Sequence, residues 1–208
     1  MATGAGWAQA LEAVVLAAGA GRRFGGRKLL APWRGGVLLD GALAAAFASP
    51  ARSVWVVTGA EADAVAAATR DFVARTGQAG RLRLVHAAGH AEGMGASLRT
   101  AIGALPPDAA GAFVFLGDMP RVPPAVLPAL VQALGSGAPA AAPAWQGRRG
   151  NPVLLGRALL PQLLELAGDQ GARAVLQALG DRLALVEAPD DGVLFDVDEQ
   201  GDLGGASE

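Results

Sequence analysis

Four cations stand within ten residues near the N-terminus, set among glycines: Gly19-Ala20-Gly21-Arg22-Arg23-Phe24-Gly25-Gly26-Arg27-Lys28. Glycine lets a backbone bring its N–H groups close to a ligand, and arginine and lysine supply charge for phosphate oxygens. The chemistry this predicts is capture of a triphosphate. Two familiar phosphate loops miss by one position each. G-x-G-x-x-G fits Gly19 and Gly21 but meets Phe24 at its third glycine. G-x-x-x-x-G-K-[ST] fits Gly21 and Gly26 but then meets Arg27, Lys28 and Leu29, with no hydroxyl to hold a metal. Carboxylates stand further along, in Gly117-Asp118-Met119-Pro120 and in Phe195-Asp196-Val197-Asp198. Residues two apart in a strand share a face, so Asp196 and Asp198 are expected to point at one site. Asp118 with one of them, opposite a basic loop, predicts Mg²⁺ held between protein carboxylates and substrate phosphates. The alternative is that these aspartates cap turns or helices.

Two further segments carry polar chemistry. Gly93-Met94-Gly95-Ala96-Ser97 reads as a helix start whose free N–H groups could hold a base or a phosphate, or as a plain helix signal. Arg148-Arg149-Gly150-Asn151-Pro152 follows Trp145 and could receive a second anionic substrate, or be a solvated turn. His86 and His90 read as structural or solvent-exposed.

These residues need a frame, and the chain alternates strand and helix. Strands are expected at 12–18, 53–58, 81–85 and 111–116, the first and last apolar on both faces as buried parallel strands are. Helices are expected at 38–48, 61–75, 94–105 and 123–134, with Pro123 and Pro124 suited to a first turn. Beyond 137 the pattern loosens into short strands at 140–143 and 151–155, helices at 157–166 and 169–179, and strands at 183–187 and 193–197; the tail 201–208 is expected to fray. The fold class is therefore α/β: a Rossmann-like, mostly parallel central sheet with helices on both faces, one domain over 1–208. In such sheets ligands sit outside the carboxyl ends of the strands, where the loops at 19–28 and 117–120 fall.

Composition excludes much else. A net charge of −2 makes the arginines near residue 22 a local feature rather than part of a polyanion-binding surface, so no nucleic acid is expected. The absence of cysteine excludes disulfides, thiolate metal sites and cysteine nucleophiles. Chemistry leaning on several histidines is excluded, because there are only two. No apolar run reaches a membrane span, and a cytoplasmic location is expected.

Seven blocks, in order, resemble one family. They are Leu16-Ala17-Ala18-Gly19-x-Gly21-x-Arg23-x-Gly25 with Lys28-Leu29-Leu30; Thr58-Gly59; Gly93-Met94-x-x-Ser97-Leu98; Gly117-Asp118-Met119-Pro120; Arg149-Gly150-Asn151-Pro152; Gly168-Asp169-x-Gly171-Ala172-Arg173; and Asp196-Val197-Asp198-x-x-x-Asp202-Leu203. Over about residues 12–203 the chain resembles the molybdenum cofactor nucleotidyltransferases, closest to the cytidylyltransferase branch. Leu-Ala-Ala-Gly is similar to the CTP-using branch, whereas the GTP-using branch has Leu-Ala-Gly-Gly. The resemblance implies attack of a molybdopterin phosphate on the α-phosphate of an NTP, with Mg²⁺ and release of pyrophosphate. It implies that Leu16, Ala17, Ala18 and Gly19 line base and ribose; that Gly21, Arg22, Arg23 and Lys28 hold the triphosphate; and that Thr58, Gly93 and Ser97 also serve the nucleotide. Arg23, Lys28 and Asp118 would be the catalytic groups, Asp118 and Asp198 the metal ligands, and Arg149 and Asn151 the acceptor's. It further implies a molybdoenzyme apoprotein or its maturation chaperone as partner. Three departures stand out: Glu199-Gln200 where the family has threonine-proline, Asn151 where histidine is common, and the extra Gly26.

The implied chemistry agrees with the inventory, since attack by a phosphate oxyanion needs no general base. Other readings are a relative using GTP or another acceptor (a sugar phosphate, an isoprenoid-precursor phosphate or phospholactate), a nicotinamide dehydrogenase, and a non-catalytic nucleotide-binding module. The dehydrogenase wants an acidic residue closing the second strand, where this chain has Thr58-Gly59. The module would not need Asp118 and a second carboxylate together.

Overall fold

The computed structural model describes residues 6–166 and 171–206. Its apolar first strand, β1 (Leu11–Ala17), lies in the middle of the sheet, hydrogen-bonded in parallel to β4 (Val54–Thr58) and to β6 (Gly111–Leu116). β5 (Leu82–His86) closes one edge beside β4. On the other side β9 (Val153–Gly156) runs antiparallel between β6 and β7 (Ala140–Trp145), and β10 (Leu183–Glu187) closes that edge parallel to β7. A two-residue strand, β8 (Arg148–Arg149), folds back on the carboxyl end of β7, and β2 (Pro32–Trp33) with β3 (Gly36–Val37) forms a separate small ribbon.

Alternation along β1 divides the core. Leu11, Ala13, Val15 and Ala17 point to the face covered by α1 (Leu38–Ala48), α2 (Ala62–Thr76) and α4 (Leu127–Gly135). Val14, Leu16 and Ala18 point to the opposite face, with Ala101 of α3 (Met94–Ala104). That face is continued by α5 (Leu160–Leu163) and α6 (Arg173–Leu179), whose Leu163, Leu176 and Leu179 pack on Ala140, Val153 and Leu155. Alanine at 42, 45 and 46 of α1, all buried, gives that helix a flat contact with the sheet. Among the described residues one charge is buried outright: Glu12 is 0% exposed, with Oε1 accepting from Arg52 Nε at 2.9 Å and Oε2 from Trp55 Nε1 at 3.1 Å.

Two expectations are corrected. Residues 193–197 form no strand: Asp191–Val193 is a 3₁₀ turn, and the chain then runs extended without a sheet partner. It crosses the strand ends instead, tied down where Val197 N donates to Asp118 O at 3.0 Å and Asn151 N donates to Val193 O at 2.9 Å. The tail is also more ordered than expected. Gln200–Ala206 is a 3₁₀ segment, fastened because Asp202 Oδ2 accepts from the N–H groups of Asp198 and Glu199, each at 2.8 Å. Part of the expected helix at 169–179, and the motif residues Gly168 and Asp169, lie outside the described residues.

Candidate active site

The strand order reverses at β1: the chain lays β4 and β5 to one side, then returns to place β6 on the other. The loops after β1 and β6 thereby become neighbours at one end of the sheet, the place where open α/β sheets bind ligands. A cavity of about 520 Å³ opens there. Its walls include Leu16, Ala18, Gly19, Gly21, Arg22, Arg23 and Lys28 from the first strand and loop, Gly93 and Ser97 from the start of α3, and Asp118 after β6.

Phe24, the residue that breaks the dinucleotide fingerprint, anchors this loop. It is 7% exposed and packs with Trp33, Leu38 and Val197 in a small core of its own. The loop thus wraps an apolar plug, and its backbone curls back: Phe24 N and Gly26 N both donate to Gly21 O at 3.0 Å. Gly21 sits at φ +58°, with the β-carbon of Lys28 so near that any added Cβ would come within 2.9 Å of it. The N–H groups of Gly19, Ala20, Gly21, Arg22 and Arg23 donate to no acceptor among the described residues. They form a row of amide donors beside the cavity, an anion-binding arrangement. Three of the four loop cations, Arg22, Arg23 and Lys28, line the cavity with them. The fourth does not: Arg27 donates its N–H to Glu61 Oε1 at 2.7 Å and holds its guanidinium 3.9 Å from the same carboxylate.

The carboxylates meet these cations directly. Lys28 Nζ donates to Asp118 Oδ2 at 2.6 Å and lies 3.7 Å from Asp198 Oδ1. Arg23 donates to the other oxygen of Asp198 at 2.6 Å. Asp196, one residue before the fully buried Val197, is exposed. Though exposed, its carboxyl is pushed above the usual carboxylate range by partial desolvation, and the Asp118 and Asp198 charges add to it. Of the two candidates for the second carboxylate, it is Asp198 that meets Asp118 on a shared cation, and a strand does not produce the meeting. Among the described residues no three His, Cys, Asp or Glu side chains converge as a complete metal cage. Asp118 and Asp198 nevertheless both reach a single cation, the Lys28 ammonium. Two carboxylates sharing one point, with substrate phosphates to complete the shell, suit a hard divalent ion.

Several expected residues fall elsewhere. Ala17 and Thr58 are register partners and point to the α1–α2 face of the sheet, 2% and 4% exposed, away from the cavity. Thr58 Oγ1 lies 3.5 Å from Val85 O. Period-two alternation requires this once Leu16 and Ala18 face the cavity. Arg149 lines a separate groove of about 590 Å³ with Arg173, Leu176 and Leu185, between α6 and β10. Asn151 is half-buried beside the extended C-terminal segment, at the cis Asn151–Pro152 bond. His90, expected to be structural or solvent-exposed, is half-buried and lines the cavity with Met94. His86 is exposed, its ring 6.3 Å from that of His90. The position of His90, three residues ahead of Gly93 at the mouth of α3, was the signal available in the sequence.

Residues 13–183 match the family described as MobA-like NTP transferase domain. The molybdenum cofactor cytidylyltransferase of Escherichia coli is 25% identical over 199 residues, 96% of each chain. The bifunctional protein GlmU of Alkalilimnicola ehrlichii is 40% identical over 126 residues; that match takes in 59% of this chain and about a quarter of GlmU's length. Among solved structures, Rv0371c of Mycobacterium tuberculosis superimposes with a TM-score of 0.79 at 27% identity, over 94% of this chain and 96% of its own. Rv0371c has also been solved in complex with manganese, and that structure matches with a TM-score of 0.71 at 24% identity, over 94% of this chain and 97% of its own. No described helix is long and apolar enough to cross a membrane.

Proposed function

This chain belongs to the MobA-like NTP transferase family and is a nucleotidyltransferase, and we propose that it transfers CMP from CTP to the phosphate of a molybdopterin-type acceptor, with release of pyrophosphate. The observation that carries this reading is the single cavity onto which free amides, Arg22, Arg23, Lys28 and Asp118 all open. The similarity to the E. coli cytidylyltransferase along nearly the whole chain favours CTP and this acceptor.

In the proposed reaction an acceptor phosphate oxygen attacks the α-phosphorus and forms the new P–O bond. The bond from that phosphorus to the β-phosphate bridge oxygen breaks, and pyrophosphate leaves with the electron pair. No proton has to be removed from the nucleophile, so the protein's task is positioning and charge. Lys28 and Arg23 supply cations to the triphosphate, and the amides of 19–23 bind its oxygens. Leu16 and Ala18 form the apolar wall for base and ribose, closed by His90, Met94 and the α3 start at Gly93–Ser97. Asp118 and Asp198 would hold Mg²⁺, which when bound neutralises phosphate charge and orients the oxygens. Arg149 and Asn151 are assigned to the acceptor, and Arg149 borders the groove in which an anionic, partly apolar molecule would fit. A cytoplasmic location and hand-over to a molybdoenzyme or its maturation chaperone belong to the same reading.

Pyrophosphate release, followed with each of the four NTPs, Mg²⁺ and molybdopterin, tests it. The expected result is turnover with CTP and molybdopterin. Turnover with a sugar phosphate, an isoprenoid-precursor phosphate or phospholactate in place of molybdopterin would reassign the acceptor while leaving nucleotidyl transfer in place.

A further inference from the structure

A lysine already stands where a metal ion would go. The stem of Lys28 is fixed, because its β-carbon lies against Gly21 and the residue heads a 3₁₀ turn, Lys28–Leu30. Its side chain is only 13% exposed, and its ammonium lies between two carboxylates, 2.6 Å from Asp118 Oδ2 and 3.7 Å from Asp198 Oδ1. A divalent cation needs those same two oxygens. It cannot share them with an ammonium at such range, since like charges under 4 Å apart in a half-buried site repel strongly. The triphosphate, for its part, needs the same ammonium from the cavity side, where Lys28 and the loop amides converge. One lysine therefore has two mutually exclusive sets of partners within reach.

We infer that Lys28 is the resident counter-ion of the unloaded site and changes partners when the site fills. Without ligands it neutralises Asp118 and shares Asp198 with Arg23; with nucleotide it turns to the phosphates and leaves the carboxylates to the metal. The ammonium keeps its proton throughout, and no covalent bond changes. Metal alone meets a competitor already seated, and nucleotide alone must draw the lysine off its carboxylates. The site takes the two as a pair, with the coupling reciprocal as linkage requires. The identity of the incoming anion and the metal's place on Asp118 and Asp198 both rest on the proposed function; the Mn²⁺ titration needs no nucleotide.

Two titrations test this without any turnover. In the first, Mn²⁺ affinity is measured without nucleotide from the electron paramagnetic signal of the free ion, for wild type and Lys28→Met. The expected result is at least tenfold tighter binding in the variant; equal or weaker binding overturns the exchange. In the second, CTP binding is measured by calorimetry in EDTA for wild type, Asp118→Asn, Lys28→Met and the double variant. Asp118→Asn should bind CTP several-fold tighter than wild type, because its lysine is released. That gain should vanish in the Lys28→Met background. A gain that persists there in full would mean that Asp118 acts by repelling phosphate alone, and the exchange would be refuted. Should wild type bind no nucleoside triphosphate at all, the nucleotidyltransferase reading fails and the Mn²⁺ titration alone decides the exchange.

Discussion

Replacing Gly21 by alanine should do more damage to turnover than to the fold, and the structure says by how much. The residue sits at φ +58°, a left-handed conformation that disfavours an L-residue by roughly 1–2 kcal/mol. For a chain of this size each kcal/mol lowers Tm by about 2–4 °C, so a loss of about 2–8 °C is expected. The second effect is steric. An alanine Cβ would lie 2.9 Å from the Cβ of Lys28, against a comfortable carbon–carbon separation of roughly 3.5–4.0 Å. The loop and the lysine stem must therefore part by roughly 0.6–1.1 Å. Displacement of about 1 Å in a positioned catalytic group lowers rate by around 10²-fold. The expected fall in kcat/KM for the nucleotide is thus about 10–100-fold, or about 1.4–2.7 kcal/mol. Gly26→Ala is the control. Its φ of +92° imposes comparable strain, but nothing lies within 4 Å of its added methyl. It should lose melting temperature and keep kcat/KM within about threefold. Scanning calorimetry and initial rates on both variants decide the matter. If Gly21→Ala retains wild-type kcat/KM, or Gly26→Ala loses as much, the positioning of Lys28 by Gly21 is refuted.

Arg52→Met strands the buried carboxylate of Glu12 and should lower stability by about 3 kcal/mol in urea unfolding, the low end for a broken buried pair because Arg52 is itself 38% exposed; adding Glu12→Gln should return most of the loss, and a deficit under about 1 kcal/mol would show that Glu12 finds another partner. CTP should be used in preference to GTP by tens-fold in kcat/KM, about 1–3 kcal/mol of steric discrimination at Ala18, and Ala18→Gly should relax it. Equal use of GTP by the unmodified protein would remove the chain from the CTP branch. Asp202 is held below the usual carboxylate range by the N–H groups of Glu199 and then Asp198. A carboxyl lowered in the folded state contributes its stability above its unfolded pKa and loses it as pH falls through the folded value. Amide exchange at Asp198 and Glu199 should therefore be protected at neutral pH and lose that protection in acid. In Asp202→Asn the protection should be low at neutral pH and insensitive to acid.

Much of the frame was legible because period and propensity agree there. The strands at 54–58, 82–86 and 111–116 and the helices at 38–48, 62–76 and 94–104 all fall where apolar patterning places them. What failed was decided by tertiary contacts. Phe195-Asp196-Val197-Asp198 alternates like a strand, but it crosses the strand ends and pairs with no strand, so Val197 is buried without a ladder. The antiparallel insertion of β9 between β6 and β7 leaves no local mark in a four-residue apolar run. Asp118 and the Gly19–Lys28 loop were readable because glycines and charges at strand ends have few other uses. Ala17 and Thr58 turn their side chains away from the cavity, because alternate residues of a strand serve opposite faces even within one contiguous motif. The grip of Lys28 on Asp118 joins residues too far apart for spacing to reveal.

The crossing of the sheet end by the C-terminal segment also sets a schedule. Asp198 leaves the ribosome 80 positions after Asp118 (198 − 118), roughly 4–16 s later at ordinary synthesis rates. During that interval the glycine loop lacks Val197 from the apolar plug beneath Phe24, and Lys28 lacks its second carboxylate. A nascent or prematurely terminated chain therefore carries most of the sheet but not a closed loop. The segment at 193–198 works as a latch, so that the loop made early in translation is closed only once this later segment has been added.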